Sequence, residues 1–170
     1  MTEYVARIWS LLGSALFLVV APGTVAGLIP YRLTGWRVER PLPGLSFGRL
    51  VGAALIVVGV ASLVESFLRF ALKGLGTPAP VAPPSRLVVS GQYCHVRNPM
   101  YVAVLAIVLG QSLVLGSTAL LGYAGLLAVL FHAFVVVYEE PKLTAQFGSS
   151  YQEYQAHVSR WWPRIRPWRG

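Results

Sequence analysis

Two clusters of residues able to do chemistry stand at the ends of one long apolar run. Before it lies Gly91-Gln92-Tyr93-Cys94-His95-Val96-Arg97-Asn98-Pro99-Met100-Tyr101, and after it comes Glu139-Glu140-Pro141-Lys142-Leu143. The 41 residues from Asn98 to Tyr138 carry no formal charge. As one helix they would extend roughly 60 Å, about twice the hydrocarbon thickness of a bilayer. The run therefore folds back on itself, with Gly110, Gly116, Ser117 and Gly122 as the places to turn. A hairpin returns both ends to one face, so Arg97, Asn98 and Tyr101 are expected beside Glu139 and Glu140. A cationic and an anionic cluster held at one rim read as a site, with Arg97, Glu139 and Glu140 as its catalytic candidates.

Each cluster has a second explanation. Asn98-Pro99 would start a helix whatever its function, since Asn favours the cap and Pro the first helical position. The same helix start beside Arg97 suits a carboxylate or a phosphate. Glu139-Glu140 could be a solvated helix end. Acids at a helix C-terminus oppose the macrodipole, however, which favours a functional role. Glu65 and Arg69, four apart, are expected to pair near the interface. His132 lies within the apolar run, where an ionisable residue is either functional or hydrogen-bonded to a neighbouring helix. Three scattered histidines, His95, His132 and His157, do not make a metal site. Gly74-Leu75-Gly76 is no dinucleotide fingerprint, because no strand–turn–helix surrounds it.

The elements that position these residues are read from composition and pattern. The chain of 170 residues is 55% hydrophobic and 12% charged, with a mean hydropathy of +0.61, the composition of a membrane protein. Its length fits a single membrane domain over 1–170. The net charge of +8 is dispersed around apolar spans, as flanks that meet anionic headgroups and not as a nucleic-acid surface. The one cysteine, Cys94, excludes an intrachain disulfide. Arg7 precedes an uncharged stretch from Ile8 to Tyr31, longer than a signal-peptide core and without an Ala-x-Ala site, so it reads as a retained span.

The expected fold is all-α, with about four transmembrane helices over 9–29, 47–70, 99–115 and 118–138. Gly74 to Pro84 holds four prolines and two glycines in eleven residues and reads as an extended loop. With four spans, ten of the fourteen Lys and Arg residues share the side of Arg97, which places the site towards the cytoplasm. After the hairpin, Phe147, Tyr151, Tyr154, Val158 and Trp161 fall on one face of a C-terminal amphipathic helix. Ser150 and Glu153 have the spacing of a capping box for it. Its face, followed by Trp162 and Trp168, suits the membrane interface or a lid on the rim.

The order of these motifs resembles the isoprenylcysteine carboxyl methyltransferase and phospholipid methyltransferase family. The chain supplies Gly91, Tyr93, Arg97-Asn98-Pro99-Met100-Tyr101, Glu139-Glu140-Pro141-Lys142-Leu143, Phe147-Gly148, Tyr151, Tyr154 and Pro163. The stretch before them, Gly76-Thr77-Pro78 through Leu87-Val88, looks like the bacterial branch, and so a multi-pass protein of a bacterial inner membrane. The likeness runs from about Gly74 to Pro163. It implies S-adenosyl-L-methionine as cofactor, held by Ser85, Arg86, Leu87, Val88, Tyr93, Asn98, Pro99, Met100, Tyr101, Glu139 and Glu140, with no metal. The charges agree with that ligand: glutamates suit its ammonium or ribose diol, Arg97 its carboxylate, and aromatic faces its sulfonium.

In the prenylcysteine enzymes an arginine about one turn before the glutamate holds the substrate carboxylate, whereas here that turn reads Val135-Val136-Val137. Small prenylcysteines are therefore expected to be poor acceptors, and the expected acceptor is an apolar, membrane-embedded molecule, lipid-like or prenylated, that enters from the bilayer. A phospholipid amine N-methyltransferase is the alternative; it needs a base, for which a glutamate or His132 is the candidate. A haem- or ion-binding membrane protein using His132 is the non-enzymatic rival.

Overall fold

The structure is a computed structural model that describes residues 19–40, 42, 47–72 and 87–168, with the side chains of 70–72 excepted. The start of the first expected span, the Gly74–Pro84 loop, Ser85 and Arg86 lie outside the described residues. Among the described residues every regular element is helical.

Helix α1, residues 19–34, passes through a π turn at Thr24–Leu28 and closes with Ile29–Thr34. It runs beyond Ile29, the expected end of the span, because the π turn accommodates Pro30. Proline has no N–H, and its ring would strike the carbonyl four residues back in a regular α-helix. One extra residue in the turn relieves that crowding. The freed carbonyls find other donors: Gln111 Nε2 donates to Ala26 O at 2.8 Å and Tyr123 Oη to Val25 O at 3.0 Å.

Helix α2, Gly48–Leu72, has 25 residues, or about 37 Å at 1.5 Å per residue. It packs most extensively on α3, Pro99–Leu115. The two backbones approach closely because small residues face each other. A Cβ added to Gly52 would lie 2.6 Å from Gly110 O, and one added to Gly59 would lie 2.9 Å from Ala103 O. Close approach of this kind is how helices associate where water offers no hydrophobic drive. Leu63 and Phe67 of α2 then meet Ala103, Val104, Ile107 and Val108 of α3, and Ala124 and Leu127 of the helix that follows it, in one core.

The hairpin turns at Gly116-Ser117, so Gly110 and Gly122 are helical. Gly116 has φ 73, and a Cβ there would collide with Arg40 O, so glycine is required twice over. Ser117 caps the next helix by accepting from Leu120 N. Glu39 N donates to Leu115 O and Arg49 Nη2 to Glu39 O, so the chain after α1 and the start of α2 gather at this end. The opposite end carries Arg69, Arg97, Glu139 and Glu140.

Helix α4, Thr118–Phe134, does not stop at Tyr138 as expected. It continues through a second π turn, Val135–Glu139, into Glu140–Phe147. The cause is the same as in α1: Pro141 stands two residues beyond the π turn, as Pro30 stands beyond the first. Glu139 and Glu140 thus lie inside a continuous helix, and the expectation that they oppose a helix C-terminal dipole does not hold. Among the described residues two helices, Gly48–Arg69 and Thr118–Phe147, are long and apolar enough to cross a membrane, and Pro99–Leu115 is a shorter apolar helix. Their outward faces carry Leu50, Val57, Val58, Leu126, Val129 and Val137, all exposed, which fits a lipid-facing coat.

Helix α5, Ser149–His157, begins after Gly148 with no side-chain cap, so the Ser150–Glu153 box is not used. Gly148 (φ 54) takes the cap position two residues before Ser150, which therefore lies inside the helix and cannot cap it. The predicted apolar face is met in part: Tyr151, Tyr154 and Val158 are buried together against Leu87, Val89, Leu143, Phe147 and Trp168, but Phe147 belongs to the preceding helix, and Trp161 lies past the end of α5 and packs near Tyr101 and His132 instead.

Candidate functional site

Three pieces of chain meet at the rim: the segment from Gly91 into α3, the second π turn of α4, and residues 158–168 beyond α5. The 3-10 turn Gly91–Cys94 presents Tyr93, which is buried against Val88 and Met100. Burial pushes the Tyr93 hydroxyl well above the ordinary tyrosine value, with Tyr154 and Glu139 adding to the effect. Asn98 occupies the N-cap position of α3 and Pro99 comes next, as expected, but the Asn98 side chain does not cap. Its Nδ2 donates instead to Arg160 O at 3.2 Å.

The predicted convergence is present. Tyr101 Oη donates to Glu139 Oε1 at 2.5 Å, and Arg97 Nη1 lies 3.0 Å from Glu140 Oε1. The side chains of Arg97 and Glu140 are 9% and 12% exposed, so this pair is shielded from water. Glu140 has a second cation. Arg160 Nε and Nη2 donate to its two oxygens at 2.7 and 2.8 Å, a two-pronged contact of the kind that fixes geometry as well as charge. Those bonds hold Arg160 above its ordinary pKa. The two glutamates are thus unequal. Glu140 is shared by two arginines, whereas Glu139 has a phenol and no cation in ion-pair range among the described residues.

Arg97 keeps unused capacity. Its buried Nε has no acceptor in hydrogen-bond geometry among the described residues, although Tyr151 and Tyr154 stand near the guanidinium. A buried donor left in that state is costly unless a ligand meets it. Around the charges lie aromatic rings: Tyr101 packs on Phe131 at 4.7 Å between centroids and edge-on to Trp161 at 6.4 Å.

Sequence reasoning misses Arg160 and Trp161 as site residues. Arg160 carries no periodic signal, and Trp161, expected on the amphipathic face, lies beyond the end of α5 at His157, so only the path of the chain brings them here. That path is fixed by Arg97 N donating to Ser159 O, Arg164 N to His95 O, and Trp168 N to Cys94 O, all at 3.0 Å. Tyr154 Oη donates to Tyr93 O at 2.6 Å. Trp161 Nε1 donates to His132 Nδ1 at 3.1 Å. An indole can only donate, so neutral His132 must carry its proton on Nε2. Of the other predicted binders, Val88 lies under Tyr93 and Met100, while Leu87 packs beneath α5 and serves its docking. Among the described residues no group of three His, Cys, Asp or Glu could hold a metal ion.

A family model described as phospholipid methyltransferase matches residues 47–150, which is 104 of the 170. The match begins at the start of α2, upstream of the motifs that carry the resemblance, and stops short of Arg160. Searches of curated proteins and of solved structures give no match.

Proposed function

The chain belongs to the phospholipid methyltransferase family, and on that premise we propose that it is an S-adenosyl-L-methionine-dependent methyltransferase with its donor site at the Arg97–Glu139–Glu140 rim. The family makes it a methyltransferase of membrane lipid-type substrates. The observation that carries the finer reading is the unequal pair of glutamates. Glu140 is neutralised by Arg97 and Arg160, which leaves a net positive locus with a spare buried donor on Arg97 for a carboxylate. Glu139, beside Tyr101, is left for an ammonium or a ribose diol. The rings of Tyr101, Phe131 and Trp161 provide faces that tolerate a sulfonium. The residues present therefore fit the donor. The chemistry it supplies when bound is an electrophilic methyl group on sulfur.

The work of the protein is then alignment and exclusion of water. Four spans would set the rim in the cytoplasmic headgroup region of a bacterial inner membrane. Apolar faces of α2 and α4 would admit an acceptor sideways. Arg160 has two of its nitrogens committed to Glu140, so among the described rim residues a carboxylate acceptor meets no second cation left over, and an extended lipid-like acceptor is favoured over a small prenylcysteine. N-methylation of a phospholipid amine is a second reading, favoured by one feature. His132 presents N–H and not a lone pair at Nε2, which leaves Glu139 as the proton acceptor.

Incubation of purified protein with isotope-labelled donor and lipid extract should place label in a phospholipid-sized product. Under the same conditions a farnesylcysteine analogue should be methylated poorly. Robust turnover of that analogue with no labelled lipid would overturn the acceptor assignment.

A further inference from the structure

A second polar cluster lies on α2, away from the rim. Ser62, Glu65, Ser66 and Arg69 recur at spacings of three and four on one helical face, and that face meets the Gly91–Cys94 turn. Every hydrogen-bonding position of the Gln92 amide oriented towards α2 is in use. Its Nε2 donates to Ser62 O at 3.2 Å and to Glu65 Oε2, while Ser62 Oγ donates to its Oε1. Glu65 Oε1 accepts from Arg69 Nε at 2.7 Å, so the carboxylate is held from both sides. Ser66, fully buried, stands beside the Tyr93 hydroxyl.

The turn is also shaped by exclusion. Gly91 has φ 59, and a Cβ at that position would run into the Arg69 guanidinium. The turn therefore has one seat on α2, fastened through Gln92. The site comes immediately after it in the chain: Tyr93, buried within electrostatic reach of Tyr101 and Glu139, and then Arg97 at the head of α3. The rest of this segment is tied to α5 through the carbonyl of Tyr93, which accepts from Tyr154, and to the chain beyond α5 through the carbonyls of Cys94 and His95. Gln92 ties it to α2 through three hydrogen bonds.

We propose that Gln92 is a positioning residue for the methyl-transfer site, clamped by Ser62 and Glu65 so that the turn places Tyr93 and Arg97 for donor binding. Gln92 itself does not enter the site. A side chain that only stabilised the fold would change how many molecules are folded, not how tightly a folded molecule binds. A side chain that sets the position of binding groups changes the affinity, because losses of contact geometry appear in the dissociation constant.

The inference rests on the donor reading above, and isothermal titration of S-adenosylhomocysteine into detergent-solubilised full-length protein separates the two. Gln92→Leu should weaken binding about tenfold, equivalent to about 1.4 kcal/mol, with unchanged stoichiometry. Glu65→Gln retains an acceptor for the Gln92 amide and should bind within about twofold of the unmutated chain, whereas Glu65→Ala should fall between that and Gln92→Leu. If Gln92→Leu does not fold, Ser62→Ala and Glu65→Ala each remove one clamp and should each weaken binding several-fold. Wild-type affinity in every folded variant overturns the positioning role alone. No binding by the unmutated protein overturns the donor reading and this inference with it.

Discussion

At the scale of single residues the site turns on how Glu140 is shared. Removing one partner of a shielded ion pair strands the other charge, at a cost of about 3–5 kcal/mol for fully buried pairs. Arg160 is 29% exposed and can recover water, but Arg97 cannot. Glu140→Gln should therefore lower unfolding stability in detergent and weaken S-adenosylhomocysteine binding at least about tenfold. Arg160→Lys keeps the charge but loses the two-pronged contact, so its effect should be smaller in both measurements. Equal binding by Arg160→Lys and the unmutated protein would mean that the second arginine is only a surface ion pair. Arg97, Tyr101 and the glutamates can be placed together from sequence because a run too long for one crossing must fold back. Arg160 cannot. Its position depends on hydrogen bonds between backbones more than sixty residues apart, which leave no periodic trace. The helix-dipole argument that singles out the glutamates is itself partly mistaken, since no helix ends at Tyr138.

At the scale of elements the recurrent device is a proline two residues beyond a π turn, seen at Pro30 and Pro141. In a sequence a proline reads as a stop, and so both helices look shorter there than they are. The π turn that absorbs it is invisible until the backbone is built. Its effect on the site is direct. One added residue rotates the preceding part of the helix by about 100° relative to the part beyond, and in α4 that boundary falls between Glu139 and Glu140. Pro141→Ala restores the missing N–H and removes the ring, a change worth up to about 3 kcal/mol in a helix interior. The helix should then relax towards regular α geometry. The expected outcome is an unfolding midpoint equal to or above that of the unmutated protein, with weaker donor binding as Glu139 turns away from Tyr101. Unchanged affinity in a protein of unchanged midpoint would show that the π turn is held by packing and not by the proline.

At the scale of the whole molecule two ends can be told apart. One gathers Glu39, Arg49 and the Gly116 turn, the other the charged rim. If the helices cross a bilayer, these ends face opposite compartments. In a Cys94→Ser background, a cysteine at Arg37 and one at Gln152 should then react with a membrane-impermeant thiol reagent from opposite sides. Labelling from the same side would remove the four-span arrangement while leaving the hairpin intact. The general plan, apolar helices with a charged rim, is legible from hydropathy alone, but the tight α2–α3 seam is not, because glycines at 52, 59 and 110 announce nothing until their partners are known. The seam that joins residues 93–98 to 154–168 carries a further consequence, in time instead of space. The ribosome makes the hairpin before it makes Arg160, so in a growing chain Glu140 precedes its two-pronged partner and Asn98 its backbone acceptor. The rim is finished by residues made after both arms of the hairpin, and a chain halted between the two would hold Arg97 against Glu140 without the second cation.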